Sequence, residues 1–133
     1  FEDIEAWRRS RELTGDVYSK SNRGQFAKDF GLRDQIRRAS VSVMSNIAEG
    51  FERGGTKEFL LFLGIAKGSL GELESQFYVA LDQAYIDEAE FALLKQKAHS
   101  TKLLIGGLMN YRRRSGLKGA KYKPLARNQG PEQ

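Results

Sequence analysis

Residues 35–55, QIRRASVSVMSNIAEGFERGG, decide what kind of fold this chain adopts. On a helical wheel at 100° per residue, with Ile36 at zero, Arg38, Ser42, Ser45, Asn46 and Glu49 fall between about 180° and 280°. Ala39, Val41, Val43, Met44, Ile47, Ala48 and Phe51 cover an apolar arc of about 200°. A helix on the surface of a monomer needs an apolar stripe only a little wider than about 100°. This segment therefore either lies at the centre of a helical body or shares its oily surface with a second subunit.

Working outward, the breakers divide the chain. Gly54-Gly55 ends the segment, residues 22–29 around Gly24 precede it, and Tyr85-Ile86-Asp87 forms a turn further on. Both prolines, Pro124 and Pro131, lie near the C-terminus, so nothing before them interrupts a long helix. Four helical segments result: about Ile4 to Ser21, the segment just quoted, about Lys57 to Ala84, and about Glu88 to Arg113. The third carries a seam of Phe59, Leu63, Ala66, Leu70, Leu73, Phe77, Ala80 and Ala84 in alternating steps of four and three. The fourth opens on Asp87-Glu88-Ala89-Glu90, a capping box with Asp in the first position. Short connections favour antiparallel neighbours, so the expected fold is all-α, an antiparallel up-down-up-down four-helix bundle over residues 1–115.

The third segment carries a polar row of its own, Ser69, Glu72 and Gln76, beside its apolar seam. Facing Arg38, Ser42, Asn46 and Glu49, it forms an interhelical network that fixes register, because buried charges persist only when paired. The competing reading is a ligand or paired-carboxylate site built from Arg38, Glu49 and Glu72. Gly64, Gly68 and Gly71 cost about 1 kcal/mol each relative to alanine in a helix interior, which predicts another backbone close by. GIAKGSLG lacks the Lys-Ser/Thr ending and the preceding strand of a phosphate-binding loop.

Composition narrows the function classes. There is no cysteine, which excludes disulfides, thiolate metal sites and cysteine nucleophiles. No apolar run approaches the roughly 18 residues of a membrane span, and the expectation is a soluble cytoplasmic protein without membrane contact. The one histidine, His99, has Gln96 where a di-iron bundle needs Glu, and it is read as a helix-surface residue. No nucleophile elbow and no dinucleotide fingerprint is present. The expectation is a non-enzyme with no cofactor and no metal.

The formal charge of +5 is unevenly distributed. Residues 1–110 hold 15 Lys and Arg against 16 Asp and Glu, and residues 111–133 hold 7 against 1. Residues 116–133 read as a flexible basic tail, with Arg112, Arg113, Arg114, Lys118, Lys121, Lys123 and Arg127 as candidate contacts to RNA or DNA phosphates. Tyr111 and Tyr122 are available to stack on bases. Solubilisation by the tail and favourable placement of Arg112–Arg114 at a helix C-terminus are the simpler readings of the same charges.

FEDIEAW near the start, GLRDQIRRASVSVMSNIAEGFERG, and KEFLLFLGIAKGSLGELESQ carry a family resemblance across most of residues 1–110. The chain resembles the four-helix-bundle family encoded in intervening sequences of bacterial 23S ribosomal RNA genes. Met44 stands where relatives often have proline. The resemblance implies a ring of protomers, a homopentamer, and no established enzymatic activity. A more distant likeness to the accessory variability protein of diversity-generating retroelements implies nucleic-acid binding. Five basic tails would place roughly 30 positive charges on one particle, and affinity for a polyanion grows with the phosphates neutralised. The expected function is an oligomeric RNA-binding accessory factor; the alternative is a protein-interaction scaffold that binds no nucleic acid.

Overall fold

The computed structural model describes residues 1–122, with side chains as far as Gly116. The described residues form five helices and no strand: α1 Glu5–Ser21, α2 Gly24–Lys28, α3 Phe30–Arg53, α4 Thr56–Asp82 and α5 Glu88–Tyr122.

The buried positions of α1 are Ala6, Ser10, Leu13, Val17 and Ser21, steps of three and four that keep one stripe inward. Ser10 keeps its hydroxyl satisfied by donating to the Ala6 carbonyl at 2.7 Å. The stretch 22–29 is more than a breaker. Gly24 takes a positive φ of 47°, which a side chain would strain, and starts a single short helix whose Phe26 enters the core. There Phe26 stacks on Tyr85, ring centres 5.0 Å apart, while the Tyr85 hydroxyl donates to Asp29 Oδ2 at 2.9 Å. Asp29 also accepts from the Leu32 backbone N–H at 3.1 Å, capping α3. One loop thus joins the start of α3 to the turn between α4 and α5.

α3 packs against α1, α2 and α4, which accounts for its wide apolar arc. Ile36, Ala39, Val43 and Ile47 are buried, whereas Val41 and Phe51 at the margins remain exposed. Among the glycines described, its approach to α4 at Gly50 is the closest. A Cβ placed on Gly50 would lie 2.6 Å from Phe62 Cβ and 3.0 Å from Phe59 Cδ1. Ser42 meets Ser69 and Gly50 meets Phe62, so the two helices run antiparallel. The expected close approach at Gly64, Gly68 and Gly71 does not occur within the chain: a Cβ at any of the three meets nothing within 4 Å. Gly50 alone holds the two backbones that close, because it sits on the inward stripe of α3 and the other three sit on the outward side of α4.

The seam on α4 is buried from Phe59 through Leu63, Ala66, Leu70, Leu73 and Phe77 to Ala80. α4 ends in a Schellman motif: the Tyr85 N–H donates to the Ala80 carbonyl at 2.8 Å and the Ala84 N–H to that of Leu81 at 2.9 Å. The left-handed position is held by Ala84, φ 61°, where glycine is the usual occupant.

α5 begins with the reciprocal capping box, Glu90 N–H to Asp87 Oδ1 at 2.8 Å and Asp87 N–H to Glu90 Oε1 at 3.0 Å. Arg23 closes on the same carboxylate with two nitrogens, at 2.8 and 3.0 Å. The guanidinium first, and the Asp87 backbone N–H second, hold the Glu90 carboxyl down to about 2. Leu94, Ala98, Thr101 and Ile105 face the core. Lys97 bonds Asp16 at 2.7 Å, so α5 is tied to α1 as well as to α4, and this bond raises the lysine above its ordinary value.

The expected boundary between residues 115 and 116 falls inside α5, which continues to Tyr122. Leu117, Lys118, Ala120 and Lys121 are good helix formers, and no proline intervenes before Pro124. Gly116 allows the helix to pass α4 closely, since a Cβ there would come within 3.3 Å of Thr56 Cγ2.

Candidate functional site

Two regions contain the residues singled out from sequence. The first is the polar row between α3 and α4. Ser42 and Ser69 join across the helices, Oγ to Oγ at 2.8 Å. Asn46 Nδ2 donates to the Ser42 carbonyl at 2.8 Å and to Ser42 Oγ at 3.0 Å, so the amide orients the hydroxyl that crosses to α4. These three form one network because α3 steps by four from Ser42 to Asn46 on the side that faces α4.

The other four residues of the row separate from it. Gln76 is 7 % exposed, and its Oε1 has no hydrogen-bond partner. Glu49 is exposed and pairs along its own helix with Arg53 at 2.9 Å. Arg38 and Glu72 line an open cleft of about 710 Å³ together with Tyr18, Gln35, Val41 and Ser42. No ion pair joins Arg38 to Glu72 among the described residues. The cleft also holds Arg37, whose guanidinium lies 4.6 Å over the Tyr18 ring and donates to Ser21 Oγ at 2.8 Å. Tyr18 lies on α1, outside any sequence pattern of α3. Glu49 does not line this cleft, so the two carboxylates of the paired-acid reading are not brought into one site. Among the described residues no three His, Asp or Glu side chains cluster to hold a metal ion. His99 is exposed.

The second region is the basic end of α5. Arg112 is partly buried, its guanidinium 4.9 Å over the Phe59 ring, so this arginine is engaged by the core side of α4. Arg113 and Arg114 are exposed. Arg113 makes a long contact to Asn110 Oδ1 at 3.4 Å, on its own helix. Tyr111 is 60 % exposed beside them. Lys118 and Lys121 belong to the last turns of α5, beyond the described side chains, and Lys123 and Arg127 lie outside the described residues. Helical spacing thus divides the three consecutive arginines: Arg112 turns inward, and Arg113 and Arg114 face solvent with Tyr111. No helix among the described residues is long and apolar enough to cross a membrane.

A crystal structure of a protein of unknown function from the S23 ribosomal protein family of Bacteroides thetaiotaomicron superposes with a TM-score of 0.72 at 20 % identity, covering 78 % of this chain and 97 % of that one. It shows a shared fold. Comparison with curated proteins finds no match. The model of the 23S rRNA-intervening sequence protein family matches residues 2–107, which takes in α1 to α4 and more than half of α5. With four-fifths of the sequence inside that match, the chain belongs to the 23S rRNA-intervening sequence protein family.

Proposed function

We propose that this chain is a self-assembling, non-enzymatic accessory factor that binds nucleic acid, RNA in the first place, through the basic end of α5 and the residues that follow it. In this reading the four long helices act as an up-down-up-down bundle that presents the basic segment. The observation that carries the proposal is the segregation of charge: 15 basic against 16 acidic residues up to position 110, then 7 against 1. Random scatter of charge along the sequence would not concentrate the excess after position 110. Arg113 and Arg114 are free to meet phosphates, and exposed Tyr111 lies beside them as a stacking surface.

The test is filter retention of a labelled mixed-sequence single-stranded RNA by the full chain at low salt. Arg113→Gln with Arg114→Gln, which leaves the packed Arg112 in place, weakens retention at least several-fold. Retention unchanged by the pair, or absent in the wild-type chain, turns the reading towards a protein-interaction scaffold.

A further inference from the structure

The cleft lined by α1, α3 and α4 holds charges that the chain leaves unpaired. Arg38, Glu72 and Gln35 line it and make no hydrogen bond or ion pair among the described residues. Arg37 donates to Ser21 Oγ at 2.8 Å and lies 4.6 Å over the exposed Tyr18 ring, and neither partner carries a charge to neutralise it. Asp34, also on the cleft wall, is paired with Arg33 at 3.2 Å. The cleft therefore presents two uncompensated cations and one uncompensated carboxylate beside the Tyr18 ring and exposed Val41. Stepping seven residues along each helix from the Ser42–Ser69 bond reaches Gln35 and Gln76, and at that level Gln76 Oε1 is buried without a donor. The α3–α4 seam beside the cleft is short of a donor, as Glu72 is.

An inorganic anion would satisfy the arginines and be repelled by Glu72, whereas a simple cation would satisfy Glu72 and meet two guanidinium groups. The occupant that suits both is a net anion with an edge of N–H donors and a planar ring to lie against Tyr18 and Arg37. We infer that the cleft takes a guanine nucleotide, its phosphate on Arg38 and its neighbouring N1–H and N2–H donors on the Glu72 carboxylate. Guanine alone among the common bases offers two adjacent donors to one carboxylate; adenine sets a ring acceptor beside its amino group, which the carboxylate repels. The volume of about 710 Å³ lies within the range of about 300–1,000 Å³ that small-molecule and cofactor sites occupy. The site is built by α1, α3 and α4, so it goes beyond the RNA reading and does not rest on the basic end of α5.

The test is calorimetric titration of the full chain with guanosine monophosphate, adenosine monophosphate and inorganic phosphate. Guanosine monophosphate is expected to bind roughly ten-fold or more tightly than adenosine monophosphate, the discrimination of one good bidentate pair, and inorganic phosphate more weakly than either. Glu72→Gln brings guanosine monophosphate down to the affinity of adenosine monophosphate, and Arg38→Gln weakens both nucleotides several-fold. Both side chains are exposed and bond nothing among the described residues, so the circular dichroism of each variant is expected to match wild type. No saturable binding of guanosine monophosphate at millimolar concentration, equal affinity for the two nucleotides, or binding that neither substitution weakens overturns the inference. A single-stranded RNA with one guanine among adenines identifies the source: displacement of guanosine monophosphate far below the concentration at which the free nucleotide competes, lost in Glu72→Gln, assigns the cleft to an unstacked guanine of a strand, and displacement no better than that assigns it to the free nucleotide. Free guanosine monophosphate needs nothing from α5, so this inference and the RNA-binding reading fail separately.

Discussion

Gly50→Ala is the sharpest perturbation of this fold. The added methyl would stand 2.6 Å from Phe62 Cβ and 3.0 Å from Phe59 Cδ1. The second atom belongs to a ring that can tilt. The first does not, because a Cβ follows its backbone, so α3 and α4 must separate at this contact. Overpacking of this kind costs about 3 kcal/mol at the upper end of its usual range. Replacing glycine by alanine in a helix interior returns about 1 kcal/mol. The net loss is about 2 kcal/mol, which for a domain of this size lowers the melting temperature by about 7 °C. Thermal and urea unfolding followed by circular dichroism measure it. Gly15→Ala is the control, since nothing lies within 4 Å of a Cβ there, and it is expected to raise stability by up to about 1 kcal/mol. If Gly50→Ala melts at or above wild type while Gly15→Ala behaves as expected, the helices are not held together as described.

Ala84→Gly relieves a side chain at φ 61° in the Schellman turn and is expected to stabilise by about 1 kcal/mol, read as a higher urea midpoint. Ser69→Ala removes the one side-chain link between the two polar rows among the described residues; it costs about 1 kcal/mol, and a double-mutant cycle with Ser42→Ala shows positive coupling if the bond is present. Glu90 has its folded value depressed to about 2, so its contribution is present above the ordinary carboxylate value of 4.5 and is lost as pH falls from there through 2. The pair with Arg23 lies close to solvent, which reduces its worth to about 1 kcal/mol. Glu90→Gln is expected to lose that amount at pH 7 and to unfold with a shallower dependence on acid; an unchanged acid profile would remove the pair from the stability account.

The parts of this fold that were legible in the sequence are those fixed by local rules. The seam from Phe59 to Ala80 follows from its spacing, the break at Gly54-Gly55 from two glycines, and the start of α5 from Asp87 and Glu90. What sequence did not disclose depends on partners distant along the chain. Phe26 has no periodic neighbours, yet it is buried and stacks on Tyr85, beyond the end of α4. Glycines look alike in a sequence, yet Gly50 touches Phe62 while Gly64, Gly68 and Gly71 face open space. The polar row was visible as a row, but which members join depends on the crossing of α3 and α4. That crossing brings Ser42, Asn46 and Ser69 together and leaves Glu49 to Arg53. The basic run showed where charge accumulates, and it took the helix to turn Arg112 onto Phe59 and leave Arg113 and Arg114 outside.

The claim that the basic end of α5 grips phosphates is tested most directly by the salt dependence of RNA binding. Fluorescence anisotropy of a labelled single strand, titrated with the full chain between about 50 and 200 mM salt, gives the slope of log K against log salt concentration. Each phosphate contact contributes about −0.7 to that slope for a single strand, so Arg113→Gln with Arg114→Gln is expected to make it shallower by about 1.4 per protomer engaged. A slope identical in wild type and variant, or no binding at the lowest salt, contradicts the account.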